Sequence, residues 1–248
     1  MEKQKFLLQN LVPEEETRRI FAQVFDKSTI ETLHALASRG YFKTVEFVIS
    51  TGKEAHVFRA VDSSGSFRAI KIYKIETSDF RKMSKYIEGD PRFKRIKQTK
   101  RDLVFAWTRK EFKNLELLNS AGVSVPLPIA FKNNVLIMEF IGKKGEAAKI
   151  VKEDSVPAEK FFDFAVGALA KMLFNAELVH SDFSEYNIMN NSGKLVVIDC
   201  AQAVLSSHPF AKEFWQRDLK NTANYVSKQG MKKTPLEIEE AVKERKGK

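Results

Sequence analysis

The stretch Val179-His180-Ser181-Asp182-Phe183-Ser184-Glu185-Tyr186-Asn187 decides how this chain reads. It has the form H-x-D-x-x-x-x-N, and twelve residues past Asn187 an apolar run, 195–198, ends in Asp199. Phosphoryl transfer needs a group that orients an incoming hydroxyl and takes its proton, and hard oxygen ligands for Mg2+ beside the phosphates. Asp182 suits the first task, and Asn187 and Asp199 the second. An unpaired carboxylate at the end of a buried strand costs on the order of several kcal/mol, so Asp199 is rarely placed there for stability. Taken singly, His180 reads as a satisfied core histidine, and Asp182 or Asn187 as turn residues. The set at this spacing points to chemistry.

Working outward, Ala69-Ile70-Lys71-Ile72-Tyr73 puts a lysine between apolar neighbours on a strand. Such a lysine needs an anion, a phosphate or a carboxylate, unless it snorkels from an edge strand. An A-I-K strand is the kinase pattern for the lysine that holds the α/β-phosphates. Its partner acid belongs on the next helix, where Glu111 and Glu116 are candidates; Glu111 is favoured because its neighbour Phe112 begins that helix's apolar stripe. Ahead of this strand lies Ile49-Ser50-Thr51-Gly52-Lys53-Glu54-Ala55-His56-Val57. A turn of small residues lets backbone N–H groups approach phosphates. It is neither G-x-G-x-x-G nor a Walker loop and alone reads as an ordinary hairpin, but its place one strand pair before Lys71 makes it the expected phosphate lid.

Around these motifs the pattern predicts helices over 14–25 and 28–39, the second with Ser28 and Glu31 as a capping box and Gly40 as its stop. Three strands follow, 44–50, 56–61 and 67–73, with short turns that suggest an antiparallel meander. A helix is expected over 105–120, an extended segment over 123–129, a buried strand over 135–140 and a polar linker over 143–156. Helices over 157–176, 209–229 and 235–245 then enclose short strands near Ile188 and over 195–199. The order, β-rich and then α-rich, is a two-lobed α+β plan.

The chain has 248 residues, a formal net charge of +10, 43% hydrophobic residues and one cysteine. It suits one large domain or two small lobes, and it is too apolar for disorder. No run approaches the ~20 apolar residues of a membrane span. The opening MEKQKFLLQNLVPEEE is too short in apolar run for a signal peptide, and a single cysteine makes no internal disulfide; a cytoplasmic protein is expected. The charge is concentrated. Residues 81–110 hold eleven Lys/Arg against three Asp/Glu, a net of +8. Gly89-Asp90-Pro91 is a breaker, and like charges this dense repel, so a solvated loop is expected, with Tyr86, Phe93 and Ile96 to pack on a partner. A basic stretch beside a nucleotide site suggests contact with RNA or another polyanion.

These motifs resemble those of the RIO family of atypical protein kinases, in its first subfamily and in a short archaeal-type form. The matching segments are Ser50-Thr51-Gly52-Lys53-Glu54-Ala55, Ile70-Lys71-Ile72-Tyr73-Lys74, Gly89-Asp90-Pro91-Arg92-Phe93, residues 107–115, Met138-Glu139-Phe140-Ile141-Gly142, His180 to Asn187, and Ile198-Asp199 with Gln202. The lack of a winged-helix-sized region before residue 40 argues against the second subfamily. The resemblance implies a bilobal, protein-kinase-like fold. Residues 1–43 would be N-terminal helices packed on an N-lobe, 44–141 that N-lobe with a flexible basic loop over 76–104, and 142–248 a reduced, mostly helical C-lobe. It implies ATP and Mg2+ as cofactors, with Mn2+ as an alternative ion. Lys71 would bind the phosphates with Glu111 as partner, and Asp182 would be the catalytic aspartate. Asn187 and Asp199 would hold the metal. Met138 would face the adenine, the Glu139 and Ile141 backbones would meet its edge, and Ile49, Ser50, Thr51, Gly52, Lys53, Glu54, Ala55, Val57, Tyr186 and Ile198 would complete the nucleotide contacts. The aspartate at the Asp199 position is also proposed in this family to become an aspartyl-phosphate, which would make the protein ATPase-like.

Family members act in late maturation of the small ribosomal subunit, so the expected partners are ATP and a pre-ribosomal small subunit, its rRNA and proteins, met through 81–110. Ser181 replaces the arginine of H-R-D, Cys200-Ala201 replaces the F-G of D-F-G, and His208 follows only nine residues after Asp199. That leaves little room for peptide-docking helices. Two other readings compete: a small-molecule phosphotransferase of the aminoglycoside or choline kinase kind, disfavoured because the residues after Asp199 are balanced to basic, and an RNA- or ribosome-binding module with little catalysis. Autophosphorylation is expected at Ser84, Thr99 or Thr108, with Thr99 favoured for its basic flanks.

Overall fold

The structure is a computed structural model that describes residues 11–15, 17–18, 21, 25–76, 80–93 and 99–246. It divides into two compact units: residues 1–84, 95–112 and 127–140 in the first, and 85–94, 113–126 and 141–248 in the second.

Helix α1 in the first unit spans Lys27–Ser38. Asp26 caps it, not Ser28: the Asp26 Oδ1 accepts from the Thr29 N–H at 2.8 Å and the Thr29 hydroxyl at 2.7 Å. A carboxylate at a helix N-terminus gains from the dipole where a serine hydroxyl does not. Gly40 ends the helix as expected, at φ +82, its N–H bonded to the Ala37 carbonyl. The expected helix 14–25 lies partly outside the described residues; within it Glu15, Thr17, Arg18 and Phe21 are helical.

Strands β1 (Thr44–Thr51), β2 (Ala55–Val61) and β3 (Phe67–Tyr73) form the expected meander. After helices α2 (Phe80–Ile87) and α3 (Lys100–Ser120) come β4 (Pro128–Lys132) and β5 (Val135–Glu139). The sheet order is β1-β2-β3-β5-β4, so β3 is central, with Lys71 opposite Val57 on one side and Leu136 on the other. The snorkelling edge-strand reading of Lys71 is thereby removed. One face of the sheet, through Phe58, Ile70, Ile72 and Ile137, packs with Phe21, Phe25, Ile30, Leu33 and Leu36. Asn134 ties α1 to the end of β3, its amide donating to the Thr29 hydroxyl and the Tyr73 carbonyl.

The basic window is not simply a loop. It contains α2, a single 3-10 turn at Pro91–Phe93, and the first turns of α3, which begins five residues earlier than expected. Residues 94–98 lie outside the described part. The apolar residues among the charges explain the order: Ile87 and Phe93 are buried, and Tyr86 stacks on Phe214 at 5.0 Å. Thr99, with its side chain at the start of α3, accepts from the Asp102 N–H.

In the second unit the expected linker 143–156 is ordered as three short strands, β6 (Gly142–Lys143), β7 (Glu146–Ala147) and β8 (Lys149–Ile150), because Ile150 and Val151 are apolar and Val151 is fully buried. Helix α4 (Ala158–Phe174) precedes β9 (Leu178–Val179), β10 (Ile188–Asn191), β11 (Lys194–Val197) and β12 (Val204–Leu205). Strand β10 lies between β11 and β8, and β9 pairs with β12. Helices α5 (Ala211–Lys228) and α6 (Pro235–Glu244) finish the unit. A full capping box of Thr234 and Glu237 starts α6. Among the described residues no helix is long and apolar enough to cross a membrane.

Candidate active site

In the first unit Lys71 and Tyr73 sit two residues apart on β3 and therefore face the same side of the sheet. Helix α3 brings Glu111 to both. The Lys71 ammonium donates to the Glu111 Oε1 at 2.8 Å, and the Tyr73 hydroxyl donates to the Glu111 Oε2. Lys71 is 7% exposed and Glu111 1%, so the pair is desolvated and each oxygen of the acid has a donor. Glu116, the other candidate, is half-buried and pairs with the exposed Lys113. Tyr73 as a third member was not anticipated, although its i+2 spacing from Lys71 carried the signal.

The turn ahead of this strand is self-braced. The Gly52 N–H donates to the Ala55 carbonyl at 2.9 Å, the Lys74 ammonium to the Gly52 carbonyl at 2.8 Å, and the Thr51 hydroxyl meets the His56 Nδ1 at 3.2 Å. The Gly52 N–H is thus engaged within the turn. Ser50, Thr51 and Lys53 are exposed, Ile49, Glu54 and Val57 half-buried, and Ala55 buried. Met138 is half-buried on β5; Glu139 is exposed, and its N–H donates to the Leu127 carbonyl at 2.8 Å.

In the second unit Asp182 and Asn187 stand at the two ends of the turn between β9 and β10. The Asn187 side-chain amide donates to the Asp182 carboxylate at 3.0 Å and to its backbone carbonyl at 2.8 Å. With its N–H groups so used, the side-chain carbonyl oxygen of Asn187 is left to accept or to ligate. The Ile198 N–H donates to the backbone carbonyl of Asn187 at 2.9 Å, which joins the Asp199 segment to the same turn. Asp199 is not the end of a buried strand: β11 stops at Val197, and Asp199 follows in left-handed backbone, φ 56 and ψ 61, with an exposed side chain. Left-handed backbone is tolerated by aspartate better than by most residues. Ile198 is half-buried, Tyr186 is 54% exposed, and Ile141 is buried, its carbonyl accepting from the Ala148 N–H.

Two residues that sequence reasoning missed hold this turn from α5. Asp218, fully buried, accepts the Ser181 and Phe183 N–H groups at 2.8 Å each, one on either side of Asp182. Arg217 donates to the Ser181 carbonyl and to the Tyr86 hydroxyl. Ser181, at φ 72, is the residue so gripped. The signal was present: the buried face of α5 runs Phe214, Trp215, Asp218, Leu219, Thr222, and an acid inside such a stripe needs a partner. Burial pushes the Asp218 carboxyl up to about 7, against the backbone N–H bonds and Arg217 that hold it down. Burial also raises the Asp182 carboxyl, opposed by the Asn187 bond and Arg217 and aided by the charge of Asp199.

The donor set fits Mg2+ bound together with a nucleotide. Asn187 and Asp199 supply hard oxygens, and among the described residues no group of three or more His, Cys, Asp or Glu forms an all-protein cage. Mg2+ characteristically binds through one or two carboxylates plus substrate phosphates and waters. Of the expected phosphorylation sites, Thr108 is fully buried with its hydroxyl on the Val104 carbonyl; Ser84 is half-buried and Thr99 exposed.

A family model for the RIO domain matches residues 56–239. The RIO-type serine/threonine-protein kinase Rio1 of Haloferax volcanii is 44% identical over 212 residues, 86% of this chain and 73% of that protein. The Rio1 of Methanocaldococcus jannaschii is 38% identical over 205 residues, 82% and 70% respectively. This chain belongs to the RIO family, in its Rio1 branch. Human serine/threonine-protein kinase RIO1 is 36% identical over 84% of this chain, but the match spans only 38% of the human protein. Among solved structures, the Rio2 kinase of Chaetomium thermophilum in an ADP/Mg2+-phosphoaspartate complex superimposes with a TM-score of 0.67 at 22% identity, covering 87% of this chain and 65% of that one. That likeness establishes the kinase-like fold.

Proposed function

We propose that the chain transfers the γ-phosphoryl group of ATP to serine or threonine hydroxyls, its own included, and that it also hydrolyses ATP through Asp199. The observation that carries this reading is the desolvated Lys71–Glu111 pair on a central strand and its facing helix. A buried ion pair is weak evidence for stability and better evidence for a charge kept in place. Lys71, oriented by Glu111, neutralises phosphate oxygens. Asp182, gripped through its neighbours by Asp218, accepts the proton of the attacking hydroxyl, and its raised affinity for a proton suits it to that task. Asn187 and Asp199 would hold Mg2+, which supplies charge neutralisation on the phosphates when bound. The exposed Asp199 carboxylate can also take the phosphoryl group. The Rio2 structure carrying a phosphoaspartate and the match to Rio1 kinases support both readings. The physiological setting proposed is small-ribosomal-subunit maturation in the cytoplasm, with segment 81–110 meeting rRNA or its proteins; its net charge of +8 supports this. The test is turnover of γ-32P-labelled ATP. Asp182→Ala should lower phosphoryl transfer by about 10²-fold or more, the usual share of a general base. Transfer and hydrolysis both surviving unchanged would remove Asp182 from the reaction. A phosphoenzyme cleaved by hydroxylamine marks Asp199; a hydroxylamine-resistant one marks a hydroxyl ester.

A further inference from the structure

Helix α3 carries, one turn beyond Glu111, another fully buried polar side chain, Asn114. Its amide nitrogen donates two hydrogen bonds of 2.8 Å, to the carbonyls of Cys200 and Ala203. Those carbonyls bracket the single 3-10 turn Cys200–Gln202, which starts directly after Asp199. The amide oxygen of Asn114 has no hydrogen-bond partner among the described residues. The side chain is therefore used purely as a double donor, which neither a carboxylate nor an apolar group of the same size can replace.

The backbone around Asp199 explains why a clamp is needed there. Asp199 is held in left-handed backbone with its carboxylate exposed. Such a conformation persists where the flanking structure over-determines it. Upstream, the Ile198 N–H bond to the Asn187 backbone carbonyl supplies that constraint. Downstream, Cys200 and Ala203 are joined by one backbone bond of 3.2 Å, and Asn114 adds the two buried bonds that fix the turn. We propose that Asn114 is a positioning residue for metal binding: it locks the turn after Asp199 so that the Asp199 carboxylate and the Asn187 side-chain carbonyl oxygen are presented together to a divalent cation. The inference rests on the proposed roles of Asn187 and Asp199 and extends them to a residue that touches neither nucleotide nor metal. Groups that orient metal ligands typically cost about 10–100-fold in metal affinity when removed.

The experiment measures Mn2+ binding by electron paramagnetic resonance in the presence of ADP, and ADP binding without metal by calorimetry in EDTA. The proteins are the full chain and its Asn114→Leu and Asn114→Gln variants. Asn114→Leu should weaken Mn2+ binding about 10-fold or more while metal-free ADP binding stays within about twofold of wild type. Asn114→Gln, which keeps a donor amide at a changed reach, should fall between. A purely structural role would depress both affinities together, or neither. Wild-type Mn2+ affinity in Asn114→Leu overturns the proposal. If Asn114→Leu does not fold, Asn114→Gln decides: a selective Mn2+ loss supports the clamp, whereas wild-type affinity, or failure of this variant to fold as well, overturns it and assigns the residue to stability alone. Failure of the wild-type chain to bind Mn2+ with ADP strikes the underlying metal reading instead, so the two failures are distinct.

Discussion

Asp218 shows how a single side chain can govern a site it does not enter. It accepts the N–H groups on both sides of Asp182 and has no exposed surface. Its carboxyl is pushed up to about 7 from an ordinary value of 3.8, chiefly by burial. A folded-state value above the unfolded one means that the folded chain holds the proton more tightly. The stability it contributes is fully present below about pH 3.8 and is lost as pH rises toward 7. Within that window the slope from this one group is at most about 1.4 kcal/mol per pH unit. Denaturant unfolding of wild type and Asp218→Asn between pH 4 and 8 checks this. The wild type should lose stability relative to the variant as pH rises; parallel curves would mean that the carboxyl is ionised throughout. Tyr73 teaches the same lesson in the first unit, where its hydroxyl donates to one Glu111 oxygen while the Lys71 ammonium donates to the other.

Among the elements, the segment carrying α2 and the turn after it is where composition misleads most. Charge density argues for a solvated loop, yet the Glu88 carbonyl meets the His208 ring at 2.7 Å, and Tyr86 is both stacked on Phe214 and bonded to Arg217. Gly89 makes this docking feasible. It sits at φ +90, and a Cβ there would lie 2.8 Å from the Cδ of Pro209, whose ring cannot swing away. Gly89→Ala combines backbone strain with overpacking, so it should cost on the order of 1–3 kcal/mol where the segment stays docked. The alternative is release of the segment, which limited proteolysis would read as faster cleavage within 80–98. Unchanged cleavage and unchanged stability together would show that the turn tolerates a side chain. The expected capping box at Ser28 failed for a related reason. Asp26 lies two residues upstream, and sequence spacing does not reveal which of two competent caps the incoming chain presents to the helix.

At the scale of the whole molecule, the net charge of +10 is less available than its count suggests. Within 81–110, Lys110 is fully buried, Arg92 is paired with Asp90 at 2.7 Å, Lys85 with Glu213 at 3.0 Å, and Arg101 with Asp26 at 2.6 Å. The last two pairs are exposed and contribute little to stability, so a polyanion could compete for those cations. The densest run, Lys94, Arg95 and Lys97, lies outside the described residues. Together with the exposed Lys100 it is the best candidate for binding phosphates. Replacing these four with Gln should flatten the dependence of single-stranded RNA binding on salt, by about 0.7 in the log–log slope for each phosphate no longer neutralised. A slope that does not change places the RNA-binding surface elsewhere.

Much of this was legible in the residues. The meander and the later helices follow from local rules of alternation, helical spacing and turn chemistry, and the residues proposed for the site, Lys71, Glu111, Asp182, Asn187 and Asp199, were picked out by the ligand needs of phosphoryl transfer. What local rules could not supply are contacts made by residues far apart in the chain. Nothing near Glu111 says that Tyr73 takes its second oxygen. Nothing near Asp182 names Asp218, and nothing near Asp199 names Asn114, 85 residues earlier. The polar linker and the described parts of the basic segment take up regular structure for the same reason, since a few apolar side chains found partners that only the folded chain brings near. The types of group required are written in short motifs because chemistry is local. Which buried donors and acceptors hold those groups in place is a property of packing, where most desolvated polar groups are paired with residues far off in the chain.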